Sequence, residues 1–92
     1  MIVSFSDADT CDLFRGRRVK RFANIASVSE RKLQQLDSAV TLDAMRSPPG
    51  NRLEALIGDR KGQHSVRING KWRICFVWKE DGAHDVEIVD YH

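Results

Sequence analysis

The usual equipment for holding a metal or a nucleotide is missing from this sequence. Its two cysteines, Cys11 and Cys75, have no metal-binding spacing. Its three histidines, His64, His84 and His92, are dispersed, and neither H-x-x-x-H nor C-x-x-C occurs. No metal site and no cofactor are therefore expected. A glycine-rich phosphate loop and a nucleophile elbow are also absent, which sets aside the P-loop and serine-hydrolase readings. No apolar run is long enough for a spanning helix or a signal peptide, so a membrane partner is not expected. Two unpaired cysteines fit a reduced, cytoplasmic protein better than a disulfide scaffold.

Ninety-two residues suffice for one domain, residues 1–92, without repeats or low-complexity tracts. A chain of this size buries about 60–65% of its unfolded surface, enough for one core but not for a deep internal pocket. An active site here should be shallow and open, which suits a large substrate. Net charge is only +2, but its distribution is uneven. Arg15, Arg17, Arg18, Lys20 and Arg21 fall within seven residues that contain no acid. Arg60, Lys61, Arg67, Lys71, Arg73 and Lys79 lie in a second acid-free stretch, between Asp59 and Glu80. Such segregation suits a basic face meeting a polyanion.

The richest stretch begins at Gln63. Runs of Val, Ile, Trp and Phe are separated by Asn69-Gly70 and Asp81-Gly82, and such turns between β-formers signal tight hairpins. The expectation is a three-stranded antiparallel meander over 63–68, 71–78 and 86–92. Alternation puts Trp72, Ile74, Phe76 and Trp78 on one face and Arg73, Cys75 and Val77 on the other. A two-residue turn at Asn69-Gly70 would set Val66 opposite Arg73 and Arg67 opposite Trp72. The aromatic face reads as core. Arg73 then projects from the opposite side, where an arginine is unfavourable to bury without an anion and so becomes a phosphate-binding candidate.

Upstream, residues 1–5 read as a strand beside the meander, since a lone strand is unstable. Residues 7–14 read as a short helix capped by Asp7 or Asp9 and stopped at Gly16, with Cys11 and Phe14 facing inward. Ser27-Val28-Ser29-Glu30 has the form of a capping box. It opens a principal helix whose stripe is Leu33, Leu36 and Val40. Residues 41–45 add a further helical turn, and Pro48-Pro49-Gly50 ends it. Residues 51–63 read as a loop anchored by Leu53 and Leu56. The fold class is α+β, an N-terminal strand and two to three helices on one face of a small antiparallel sheet.

A set of Arg, Lys, Tyr, His and Asp without a metal suits RNA cleavage by the adjacent 2′-hydroxyl. That reaction needs a base for the hydroxyl proton, an acid for the leaving 5′-oxygen and cations for the phosphorane. The string G-x-x-x-G-x-x-S-x-x-I-N-x-x-W-R-I-x-F from Gly58 to Phe76, followed by terminal Asp-Tyr-His, resembles the HigB group of the RelE/ParE toxin superfamily. The resemblance implies a type II toxin–antitoxin toxin, a ribosome-dependent endoribonuclease that cuts mRNA in the decoding site. It implies a HigA-type helix-turn-helix antitoxin as partner, with operator DNA bound only through that antitoxin. Carried over by position, Arg73 would stabilise the phosphate, and Asp90, Tyr91 and His92 would supply proton transfer and orientation. His92 is the preferred general acid or base, because its unperturbed pKa lies nearest neutrality. Arg15, Arg17, Arg18, Lys20 and Arg21 would contact ribosomal RNA, joined on the basic face by Arg60, Lys61, Arg67 and Lys71.

One departure stands out: where the group commonly places a histidine and a lysine, this chain has Glu54 and Ile57. Glu54 is a catalytic candidate, acting as a base if its pKa is raised. Two alternatives share the fold, a ParE-like gyrase poison and a non-catalytic RNA-binding module.

Overall fold

The computed structural model describes residues 1–90. Two helices, α1 (Ala8–Phe14) and α2 (Ala26–Ser38), precede four strands, β1 (Glu54–Ala55), β2 (His64–Arg67), β3 (Trp72–Lys79) and β4 (Gly82–Asp90). Short 3-10 turns lie at Lys20–Phe22, Leu42–Arg46, Pro49–Asn51 and Gly58–Arg60. The strands form one antiparallel sheet in the order β1-β2-β3-β4. Its inward face carries Val66, Ile74, Phe76, Val86 and Ile88, which meet Leu13 of α1 and Leu33 and Leu36 of α2 in one core. The α+β architecture expected from the sequence is the one observed.

Local signals explain α1. Asp7 is its N-cap, and its carboxylate accepts from the Thr10 amide at 3.0 Å, satisfying a donor that the first turn leaves open. Gly16, at φ +83°, takes the left-handed conformation just beyond the C-terminus. The buried side is Thr10 and Leu13, one position away from the Cys11 and Phe14 expected. Thr10 Oγ1 receives the Ile88 amide at 3.1 Å, so a polar contact to β4 sets the rotation of this short helix.

Helix α2 departs from its expected start. It begins at Ala26 with Ile25 as N-cap and no side-chain cap, so Ser27 to Glu30 is no capping box and lies inside the helix. The 3-10 turn at Lys20–Phe22 leads directly in, and burial of Phe22 and Ile25 fixes the entry. Leu33 and Leu36 are fully buried as expected, whereas Val40 lies beyond the helix and is 90% exposed. The last turn ends at Ser38, before the stripe can reach Val40.

Both hairpins differ in detail from expectation. Asn69 and Gly70 do not take the two left-handed conformations of a type I′ turn. Asn69 Oδ1 instead accepts from the Lys71 and Trp72 amides, each at 2.8 Å, and Ile68 N donates to Trp72 O. The loop is one residue longer, so Val66 pairs with Ile74 and Arg67 with Arg73. This register buries Val66 against Ile74; the shorter turn would have turned it away from the core. At the second hairpin Lys79 pairs with Gly82, so the turn residues are Glu80 and Asp81. A bulge follows at Asp85 (φ +53°), which lets both Ala83 and Val86 face inward.

The edges hold the remaining surprises. Residues 54–55, expected as loop, pair with β2 as a two-residue strand. The N-terminal stretch is not a full strand but two isolated parallel bridges to β4, Ile2 with Ala83 and Phe5 with Val86. Its Ile2 amide also donates to Asp37 of α2 at 2.8 Å. A Cβ on Gly82 would lie 2.1 Å from the Met1 carbonyl oxygen, so only glycine permits this approach.

Candidate active site

Pairing across the sheet sets two rows on the face turned away from the helices. Ser65, Cys75 and Glu87 form one row, and Arg67, Arg73 and Val89 form the next. Arg73 is only 9% exposed. A guanidinium so placed needs partners, and it has them. Its Nε donates to Ser65 Oγ at 2.7 Å, and Nη2 donates to the Arg52 carbonyl at 2.9 Å. Glu54 Oε1 stands 3.8 Å from Nη2.

Arg67 is directly opposite Arg73, a like-charge pairing that is unfavourable across a sheet. Lys32 reaches in from α2 and donates through Nζ to the Arg67 carbonyl. Burial lowers the proton affinity of that ammonium, and the charges of Arg31, Arg67 and Arg73 lower it further. Glu54 counters Arg73 at a long distance and with a side chain 56% exposed. Arg67 and Arg73 thus share the face of the sheet turned away from the helices, while Lys32 approaches the Arg67 carbonyl from the helix layer.

The neighbouring row is quieter. Arg60, expected as an RNA contact, is tied to Glu87 at 3.2 Å and to Gln63 at 3.1 Å. Cys75 is fully buried, and burial pushes its thiol pKa up, so it is a packed neutral thiol and not a nucleophile. Lys61 is exposed beyond the 3-10 turn at Gly58–Arg60.

Of the expected catalytic residues, Glu54 and Arg73 are brought together. Asp90 pairs with Trp72, in the row beside Arg73 and Val89, and shares the side of the sheet that Trp72 occupies. Its carboxylate lies 3.6 Å from Lys71 Nζ. Tyr91 and His92 lie outside the described residues. Ser65, Lys32 and the Arg52 carbonyl were not singled out by sequence. Ser65 stood in the quoted motif, and the correct register would have put it beside Arg73. Lys32 adjoins Leu33 at the border of the helix stripe, which was its only signal.

The basic segment between α1 and α2 belongs to the helix layer. The acids of α1 meet it: Arg17 pairs with Asp12 at 3.0 Å, and Arg21 with Asp9 at 2.7 Å and Asp7 at 3.2 Å. Arg15 donates to Cys11 Sγ. Arg18 and Lys20 are exposed. An aromatic path runs from this segment to the sheet. The Arg21 guanidinium sits 4.2 Å over the Phe22 ring, and Phe22 meets Trp72 edge-on at 5.7 Å. Lys71 extends the path to Asp90. Among the described residues no group of three or more His, Cys, Asp or Glu could hold a metal, and no helix is long and apolar enough to cross a membrane.

Comparison with known proteins bears on this geometry. The YoeB–YefM complex from Staphylococcus aureus contains a chain that superposes with a TM-score of 0.63 at 20% identity, covering 100% of this chain and 95% of that one. At that identity the likeness is one of fold. Toxin HigB-1 of Vibrio cholerae serotype O1 is 43% identical over 61 residues, 66% of this chain and 64% of that protein. Endoribonuclease HigB of Proteus vulgaris is 31% identical over 61 residues, 66% of this chain and 65% of that protein. The chain thus spans a little under two thirds of the length of these curated relatives. The sequence model described as the RelE-like toxin of type II toxin–antitoxin system HigB matches residues 4–92. On that match the chain belongs to the HigB family of RelE-like toxins.

Proposed function

We propose that this chain is a ribosome-dependent endoribonuclease that cuts mRNA in the decoding site and arrests translation in the cytoplasm. The observation that carries the reading is Arg73, nine-tenths buried yet held by Ser65 Oγ and the Arg52 carbonyl, with Arg67 directly across the sheet. Family membership and a relative named as an endoribonuclease support it. Cleavage proceeds by attack of the 2′-hydroxyl oxygen on the adjacent phosphorus, with loss of the 5′-oxygen, and leaves a cyclic 2′,3′-phosphate. Arg73 stabilises the charge that develops on the phosphorane, aided by Arg67. Proton transfer falls to His92, with Tyr91 and Asp90 orienting, and Glu54 accepts the hydroxyl proton.

The ribosome orients the substrate, so an open face suffices and naked RNA is cut poorly. Arg15, Arg18, Lys20, Lys61 and Lys71 serve as ribosomal RNA contacts, and Arg17 and Arg21 do so with their acid partners attached. A HigA-type helix-turn-helix antitoxin neutralises the toxin and brings it to operator DNA.

Primer extension on mRNA from cells briefly expressing the chain tests this reading. Discrete cuts within translated frames are expected, lost in Arg73→Ala and His92→Gln but kept in Arg17→Ala. Growth arrest without cuts would overturn it in favour of a gyrase poison on the same fold. Equal losses in the Arg73 and Arg17 variants would remove the distinction between a residue facing the developing charge and a surface cation.

A further inference from the structure

The Arg52 carbonyl that receives Arg73 is delivered by an unusual piece of backbone. Arg52 has φ +45°, a left-handed conformation that non-glycine residues seldom adopt, while its own side chain is exposed. What holds it there is the residue before it. Asn51 is fully buried, and its Nδ2 is shared among the Met45 carbonyl at 3.1 Å, the Ser47 carbonyl at 3.2 Å and Gln35 Oε1 at 3.2 Å. Gln35 in turn donates to the Ser47 carbonyl at 2.6 Å. Backbone bonds from Asn51 N to Pro48 O and from Arg52 N to Pro49 O close the turn. The segment is therefore fastened to α2 at one end and to Arg73 at the other.

We propose that Asn51 is a positioning residue for the Arg73 guanidinium. By pinning the 47–52 turn it keeps the Arg52 carbonyl on Nη2 while Ser65 holds Nε, and two contacts on different nitrogens fix the plane of the guanidinium. A buried asparagine suits the task because its amide nitrogen carries two N–H donors, enough for the Met45 and Ser47 carbonyls of the irregular turn. Ordinary packing would not require an amide there, whereas acceptors converging on its nitrogen do. A guanidinium free to swing would still bind an anion but would meet the transition state in many orientations, so the loss falls on kcat more than on KM. Only this activity readout rests on the function proposed above.

The test compares wild type, Asn51→Ala and Gln35→Ala by 15N NMR of the arginine side chains, with Arg73→Lys to assign the Arg73 signals. Wild type should show slow exchange of the Arg73 Nε proton and slow rotation about its Cζ–Nη2 bond. Both should accelerate in Asn51→Ala and, less strongly, in Gln35→Ala, which removes the half-buried Gln35 contacts to Asn51 and the Ser47 carbonyl and carries the test if Asn51→Ala does not fold. In ribosome-programmed cleavage, kcat should fall on the order of tenfold in Asn51→Ala with KM little changed. Arg73 signals that stay slow in a folded variant would overturn the proposal, as would activity loss that only tracks the unfolded fraction. If the signals accelerate as expected while wild type cuts no RNA, positioning stands and the nuclease reading falls.

Discussion

Ser65→Ala is the sharpest perturbation of this site. It deletes one oxygen, the acceptor 2.7 Å from Arg73 Nε, in a place where Ser65 is fully buried and Arg73 is 9% exposed. A hydrogen bond to a charged group contributes about 1.5–3 kcal/mol, and removing one partner leaves the other desolvated. The bond is buried, so the whole of that range applies, about 1.5–3 kcal/mol. For a domain of 60–100 residues each kcal/mol moves Tm by about 4–8 °C, so a fall of roughly 6–24 °C is expected. The assay is thermal unfolding by circular dichroism. A Tm within 2 °C of wild type, as a ~0.5 kcal/mol surface change would give, refutes the view that this bond organises the site.

Three other outcomes follow from particular contacts. Gly82→Ala should lower stability by at least ~1 kcal/mol, seen as a lower urea midpoint at constant m-value, because the added Cβ meets the Met1 carbonyl and Gly82 has φ +131°. The hydrogen bond from His84 lowers the Asp81 pKa, so this carboxylate's contribution to stability is full above its unfolded value and disappears as pH falls through the lowered folded value. Asp81→Asn should flatten the dependence of Tm on pH below about pH 4, and an unaltered slope would show that the pair does nothing. Iodoacetamide at mild alkaline pH should label Cys11 and spare Cys75, whose thiol is fully buried and raised in pKa; mass spectrometry of the native protein reads the difference.

Much of this architecture is legible in the sequence. The β-rich runs from Gln63 onward, the Leu33 and Leu36 stripe, the Asp7 cap and the Gly16 stop are local signals, and each corresponds to an observed element. Alternation alone placed Arg73 on the face opposite Ile74 and Phe76. These readings succeed because φ, ψ preference, capping and hydrophobic period act within a few residues.

Registers and meetings were decided elsewhere. One extra loop residue at Asn69–Lys71 is invisible to alternation, and only the gain from burying Val66 against Ile74 selects it. The bulge at Asp85 exists because Ala83 and Val86 must both face the core. The acid-free run at Arg15–Arg21 is basic along the chain, yet in space Asp7, Asp9 and Asp12 lie against it. Ser65, the Arg52 carbonyl and Glu54 reach Arg73 across 8 to 21 residues of chain. The amino-acid sequence by itself determined the two helices, the run of long strands from Gln63 onward, the inward faces of Leu33, Leu36, Ile74 and Phe76, and an arginine on the opposite face of β3. Only the closed tertiary structure decided what holds that arginine, because contacts between distant residues depend on strand register and on a turn whose conformation is fixed from outside itself.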